Sequence, residues 1–160
     1  MSAPLAPGTG PIPVPAAAGA LRETPWVAFG GALGAASRSG VASLLAGVGG
    51  GGGGLVATQA VNLAGAFALG LLLGTLEAIG PRPRLRAFLG IGVLGSFTTY
   101  STLVAEARAI AEATSPGVAL AFLLASVALG LAAFVAGGTL ARRGRLGGGA
   151  SSAGGRERRS

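Results

Sequence analysis

The chain is 160 residues long, 51% hydrophobic and 11% charged, with a mean hydropathy of +0.68, too apolar and too poor in charge for a water-soluble domain of this length. It contains no Cys, His, Asp or Lys, so its twelve basic residues are all Arg, its five acidic residues are all Glu, and the net charge is +7. That inventory excludes a Ser-His-Asp or Cys-His nucleophile, a lysine base and a Cys/His metal centre. Glu106 has no acid-base companion in the apolar region, and no enzyme is expected.

Residues 1–24 are rich in Pro, Gly and Ala, cannot bury a core, and are expected to form a disordered tail. They do not read as a secretory signal, because no basic residue precedes Arg22 and prolines interrupt the apolar stretch. Four apolar segments follow, at about residues 26–45, 55–79, 85–113 and 117–141. Each reaches the roughly 20 residues that a helix needs to cross about 30 Å of hydrocarbon. A glycine run at 49–54, the stretch Gly80-Pro81-Arg82-Pro83-Arg84, and Thr114-Ser115-Pro116 separate them, and glycine and proline end helices at such places. The segments lack the polar outer faces of a soluble bundle. The expected architecture is an all-α membrane domain over residues 25–141, with four transmembrane helices in a lipid bilayer. Residues 142–160 are Gly/Ser/Arg-rich and read as a basic disordered tail that anchors a membrane segment, not as a nucleic-acid-binding arm.

With four spans, the N-tail, the 80–86 loop and the C-tail share one side of the membrane. That side carries ten arginines, and the 46–54 and 114–116 loops carry none. The positive-inside rule then places both termini in the cytoplasm of a multi-pass cell-membrane protein.

Small residues are placed for close helix approach: Gly30/Gly34 and Gly70/Gly74 at four-residue spacing, with Gly65, Ala66, Gly92, Ser96 and Gly130. The glycine run at 49–54 follows a membrane helix, not a strand, which argues against a phosphate-cradling loop. The polar residues inside the spans mark the functional candidates. They are Arg38 in the first span, Thr58, Gln59 and Asn62 in the second, Glu106 and Arg108 in the third, and Ser126 in the fourth. A single hydroxyl such as Ser126 has the alternative of bonding back to its own helix. In "GVLGSFTTYSTLVAE", residues 92–106, five Ser/Thr hydroxyls and Tyr100 fall between Ser96 and Thr102. These are poor helix formers after two glycines, and they predict a break in the third helix. Such a break is tolerated at membrane depth only where protein, water or an ion satisfies the freed backbone groups.

The stretch 92–106 resembles the third-helix signature of the Fluc-type fluoride channels, the CrcB family, which is close to G-[FL]-x-G-G-[FL]-T-T-F-S-T-F-x-x-E. "NLAGAF" at Asn62–Phe67 resembles their second-helix motif, and "GGALGAASR" at Gly30–Arg38 their first-helix glycine run. The resemblance covers about residues 26–141; the third motif is specific and the other two are weak alone.

The resemblance implies a channel that lowers cytoplasmic fluoride by passive export and so confers fluoride resistance. It implies an antiparallel dimer with two pores along the interface, and a central structural sodium ion held by main-chain oxygens at the helix breaks. Gly95 and Thr98 fall on the sodium-coordinating positions. Asn62, Tyr100, Ser101, Thr102 and Leu103 fall on the fluoride pathway. Arg38, Thr58, Glu106 and Ser126 are weaker candidates for its polar wall or vestibule. The chemistry suits the residues: an amide and hydroxyls can donate to a strongly hydrated anion, an aromatic edge is weakly positive, and sodium prefers oxygen ligands.

Two departures stand out. Tyr100 and Leu103 replace the two pore phenylalanines of most members; tyrosine keeps an aromatic edge and leucine loses it. The arginine bias fixes one orientation, whereas a homodimer of antiparallel copies inserts both ways. These favour one half of a heterodimer of homologous subunits over a homodimer. A small multidrug-type exporter also has four helices, but it needs a carboxylate in the first membrane helix, where this chain offers Arg38. A non-conducting structural membrane subunit would account for the glycines and not for the Ser/Thr cluster with Asn62.

Overall fold

In the computed structural model every regular element is helical among the residues it describes, 17–45 and 53–153, with side chains from 21–45 and 54–144. Helix α1 spans Ala17–Leu45 and α2 spans Gly53–Ile79. Helix α3 is built of three contiguous pieces, Pro83–Leu85, a wider π-helical stretch Arg86–Leu94, and Gly95–Phe97. Helices α4 (Tyr100–Ala113) and α5 (Pro116–Ala153) complete the order.

The turns obey local chemistry. Gly80 ends α2 at φ 85°, a conformation that glycine adopts without steric penalty, and its amide bonds back to Leu76 O at 3.1 Å. Pro83 then opens α3, where a missing N–H costs nothing. After α4, Thr114 N reaches Ile110 O at 2.8 Å and Ser115 Oγ accepts from Val118 N at 3.4 Å, which starts α5.

Two helix pairs make up most of the packing, α1 with α3 and α2 with α5. Backbone-to-backbone approach defines both. A Cβ added at Gly30 or Gly34 would collide with the carbonyls of Phe88 or Val93, and one at Gly70 or Gly137 with those of Phe134 or Phe67. Gly92 and Gly74 are equally confined, and Gly65 receives the Thr98 methyl. Without a hydrophobic drive between helices in lipid, contact of this kind is what holds them together. Gly130 departs from the expectation: nothing lies within 4 Å of its Cβ position, because α5 turns this face outward.

Among the described residues, three helical stretches are long and apolar enough to cross a membrane: Gly54–Ile79, Pro83–Ala113 and Pro116–Gly144. Helix α1 is long enough, but its alanines, glycines, serines and Arg38 dilute its hydropathy. The helical bounds also differ from those expected. Helix α1 starts at Ala17 and carries Pro25 within it, where the sequence suggested a tail up to residue 24; alanine is the best helix former and extends the helix past the proline. Helix α5 runs to Ala153, beyond the expected boundary at 141. The rest of the expected tails, residues 1–16 and 154–160, and most of the 46–54 loop lie outside the described residues.

Candidate functional site: a polar break between two half-helices

The predicted break is present. Halfway along the stretch Pro83–Ala113, Thr98 (φ −74°, ψ 155°) and Thr99 (φ −141°, ψ 120°) are extended, and they part α3 from α4. The residues themselves account for it. Thr99 is the N-cap of α4: its Oγ1 accepts from Thr102 N at 3.3 Å and lies 2.9 Å from Thr102 Oγ1 and 3.3 Å from Ser101 Oγ. A hydroxyl in this role satisfies one of the orphan amides of a helix start. Thr98 closes the other side, giving its amide and hydroxyl to Leu94 O at 3.1 Å each.

Asn62 bridges the gap from α2. Its Nδ2 donates to Thr99 O at 3.0 Å, and its Oδ1 accepts from Thr99 N at 2.8 Å. The side-chain amide thus replaces the partner that Thr99 N would have in a continuous helix, and adds a second donor to Thr99 O, which as the N-cap carbonyl also accepts the first bond of α4. The consequence falls on the carbonyls. Thr99 N, the helical donor to Gly95 O, is taken by Asn62, and Thr102 N, the helical donor to Thr98 O, is taken by the Thr99 hydroxyl. Both carbonyl oxygens are released from the helical ladder at the negative end of α3. On the far side of the break, α4 presents the positive end of its dipole beside the Ser101 and Thr102 hydroxyls.

Asn62, Thr98, Thr99, Tyr100 and Leu103 line an open hollow of about 210 Å³. Its surroundings are uneven: Thr99 and Leu103 are 7% exposed, whereas Tyr100 is 78% exposed and stands out from the chain's surface. Ser101, Thr102 and Gly95 are also exposed, so the chain leaves much of the polar break uncovered.

Further along the same faces, α2 makes two more polar links. Thr58 is buried and donates to Glu106 Oε1 at 2.6 Å; Glu106 Oε2 is buried with no hydrogen-bond partner. Gln59 Nε2 donates to Ser126 Oγ at 2.6 Å, and Ser126 donates to Phe122 O at 2.7 Å. Ser126 therefore does bond back to its own helix, and serves Gln59 as well. Arg38 has neither an ion pair nor a hydrogen bond to this group among the described residues. Arg108 pairs with Glu112 at 2.8 Å on the exposed face of α4, outside the site.

The structure thus brings together Asn62, Thr98, Tyr100 and Leu103 around one hollow. It ties Ser101 and Thr102 to them through Thr99, and sets Gly95 one turn before. Thr99 was not singled out from the sequence, and Gln59 was marked only as a polar residue inside a span, without its partner Ser126. The cap spacing of Thr99 to Thr102 could have found the first; no local signal joins Gln59 to Ser126.

Short-connected helices of this apolarity, with freed backbone groups and an amide clamp inside a span, define an integral membrane protein with a polar intramembrane site. The comparisons agree. Residues 25–138 match the family described as CrcB-like protein, Camphor Resistance (CrcB). The chain is 41% identical to a fluoride-specific ion channel FluC of Deinococcus radiodurans over 119 residues, 74% of this chain and 94% of that protein. It is 44% identical to a FluC of Paracoccus denitrificans over 116 residues, 72% and 91% of the two chains. A protein of Leifsonia xyli named fluoride-specific ion channel FluC 2 is 39% identical over 118 residues, 69% and 77%. The chain belongs to the CrcB-like family.

Proposed function

We propose that this chain is a subunit of a fluoride-specific channel of the cell membrane, through which fluoride leaves the cytoplasm down its gradient; it is a channel component and not an enzyme. The observation that carries the reading is the Asn62 clamp on Thr99, which opens a span at mid-length between α3 and α4. Fluoride gives up strongly held water only to donors that replace it. The site supplies the remaining Asn62 amide hydrogen, the hydroxyls of Ser101 and Thr102, the first amides of α4, and the ring edge of Tyr100. Thr99 orients the hydroxyls, and Leu103 closes the inner wall.

The donor set also fits a structural sodium ion. Gly95 and Thr98 would hold it through main-chain oxygens, and the diversion of Thr99 N and Thr102 N away from those oxygens supports the assignment. Bound there, the ion would supply positive charge that ties two breaks together.

Helix α1 is the fourth span in this reading. Its Gly30 and Gly34 lie backbone-to-backbone with α3, which sets it at the same depth. Both termini are then cytoplasmic, on the side of the ten arginines. The uncovered Gly95, Tyr100, Ser101 and Thr102 support an antiparallel dimer. Leu103 and the arginine bias favour a homologous but distinct partner, with a homodimer as the alternative. Growth of a fluoride-hypersensitive bacterium tests this: this chain with an oppositely oriented homologue should restore growth on fluoride, and persistent sensitivity with every family partner that inserts would refute it. A reporter on the C-tail should read cytoplasmic throughout the population; a mixed readout would favour the homodimer.

A further inference from the structure

Away from the break, the end of the molecule that carries Arg22 and the α2–α3 loop has two adjoining hollows. The first, of about 530 Å³, is lined by Arg22, Glu23, Arg82, Pro83, Arg84 and Leu85. The second, of about 300 Å³, is lined by Trp26, Phe29, Arg84, Leu85 and Phe88. Arg84 and Leu85 belong to both, so a basic hollow runs directly into an aromatic groove. The Phe29 and Phe88 rings stack at 6.0 Å and form the groove's wall, with Phe29 69% and Trp26 43% exposed.

Charge marks the first hollow. Arg22, Arg82 and Arg84 take part in no ion pair among the described residues; the two pairs found there join Arg108 to Glu112 and Arg142 to Glu77. Glu23 faces the same hollow, and three guanidinium groups against one carboxylate leave it strongly positive. Depth marks the second. Going from Arg22 to Phe29 along α1, and from Arg84 to Phe88 along α3, the lining changes from charged to aromatic within about one to two helical turns, on the scale of the boundary between headgroups and hydrocarbon.

We propose that this composite groove is a binding site for an anionic phospholipid. Its phosphate sits among Arg22, Arg82 and Arg84, where guanidinium forks match phosphate oxygens. One acyl chain lies along Trp26, Phe29 and Phe88. The occupant is a lipid and not a soluble anion, because the basic hollow alone would serve an anion while the contiguous aromatic groove has no use for one. The site is independent of what the channel conducts.

Trp26 is the sole tryptophan and lies in the groove, so its fluorescence reports occupancy. The full chain is reconstituted in phosphatidylcholine liposomes that contain brominated phosphatidylglycerol or, in parallel, brominated phosphatidylcholine. Half-maximal quenching by the anionic lipid is expected at a roughly tenfold lower mole fraction, the ratio appropriate to one or two arginine contacts. Arg82→Gln with Arg84→Gln should bring the two lipids to equal quenching, and Arg143→Gln, at a basic residue outside the groove, should leave the preference intact. Equal quenching by both lipids in the wild type would overturn the proposal. So would a preference that survives the double substitution, an equal loss in Arg143→Gln, or a Trp26 that neither lipid quenches because another protein surface covers it.

Discussion

Substitution of Asn62 separates what the amide does for the fold from what it does for the ion. In Asn62→Leu, Thr99 N loses its partner at 2.8 Å and Thr99 O loses the Asn62 donor at 3.0 Å while keeping the first bond of α4. Each interhelical hydrogen bond in a membrane contributes about 0.6 kcal/mol on average and up to about 1.7, so the pair accounts for about 1–3 kcal/mol of stability. Asn62→Asp is different. Its carboxylate still accepts from Thr99 N but faces Thr99 O without a hydrogen to offer, and it puts a negative charge on the pathway. At a separation of about 4 Å and an effective dielectric of about 20, one charge opposes another by about 4 kcal/mol, equivalent to about three decades in rate. The loss of a donor alone costs about 1–3 kcal/mol, or about one to two decades. Fluoride efflux from liposomes, followed with a fluoride electrode, should therefore fall by about one to two decades in Asn62→Leu and become undetectable in Asn62→Asp, with both proteins still monodisperse in detergent. Wild-type efflux from a folded Asn62→Asp protein would refute a pore role for this residue.

Gly137→Val should unfold or disassemble the α2–α5 pair, since its Cβ would meet the Phe67 backbone, whereas Gly130→Val, facing open space, should change the detergent melting temperature by only a degree or two, within about 0.5 kcal/mol of wild type. Gly95→Val adds bulk at the exposed face beside the proposed sodium ligands and should block assembly in a cross-linking assay, while Thr98→Ser, which keeps the main-chain oxygen and the hydroxyl bond to Leu94 O, should assemble normally. Leu103→Phe restores an aromatic edge beside the hollow and should raise fluoride flux in paired channels by several-fold; a fall in flux would mean that the leucine is required at that wall.

The break was legible because poor helix formers clustered inside an apolar run weaken the helix at one place, and their hydroxyls can cap the ends that result. The glycine contacts were legible for a related reason: small residues at four-residue spacing form a flat stripe, and Gly30/Gly34 and Gly70/Gly74 meet backbones as that pattern implies. Gly130 shows its limit, because spacing says which residues share a face and not whether the face is covered. Asn62 was recognisable as polar and misplaced, but its partner was not, since it bonds the amide and carbonyl of Thr99, groups that nearly every residue carries. The π-helical winding of Arg86–Leu94 had no compositional mark. Gln59 and Ser126 lie 67 residues apart, and only the packing of α2 on α5 joins them. The start of α1 escaped because the Pro/Gly/Ala-rich composition of residues 1–24 reads as a tail, although its last alanines are strong helix formers.

The most direct test of the channel assignment is ion-selective efflux from liposomes loaded with equal fluoride and chloride, with this chain reconstituted beside an oppositely oriented homologous subunit and, separately, alone. The paired protein should release fluoride rapidly and retain chloride, and the chain alone should release little of either. Fluoride and chloride leaving together, or neither leaving from the paired protein, would contradict a fluoride-selective pathway through the Asn62 break.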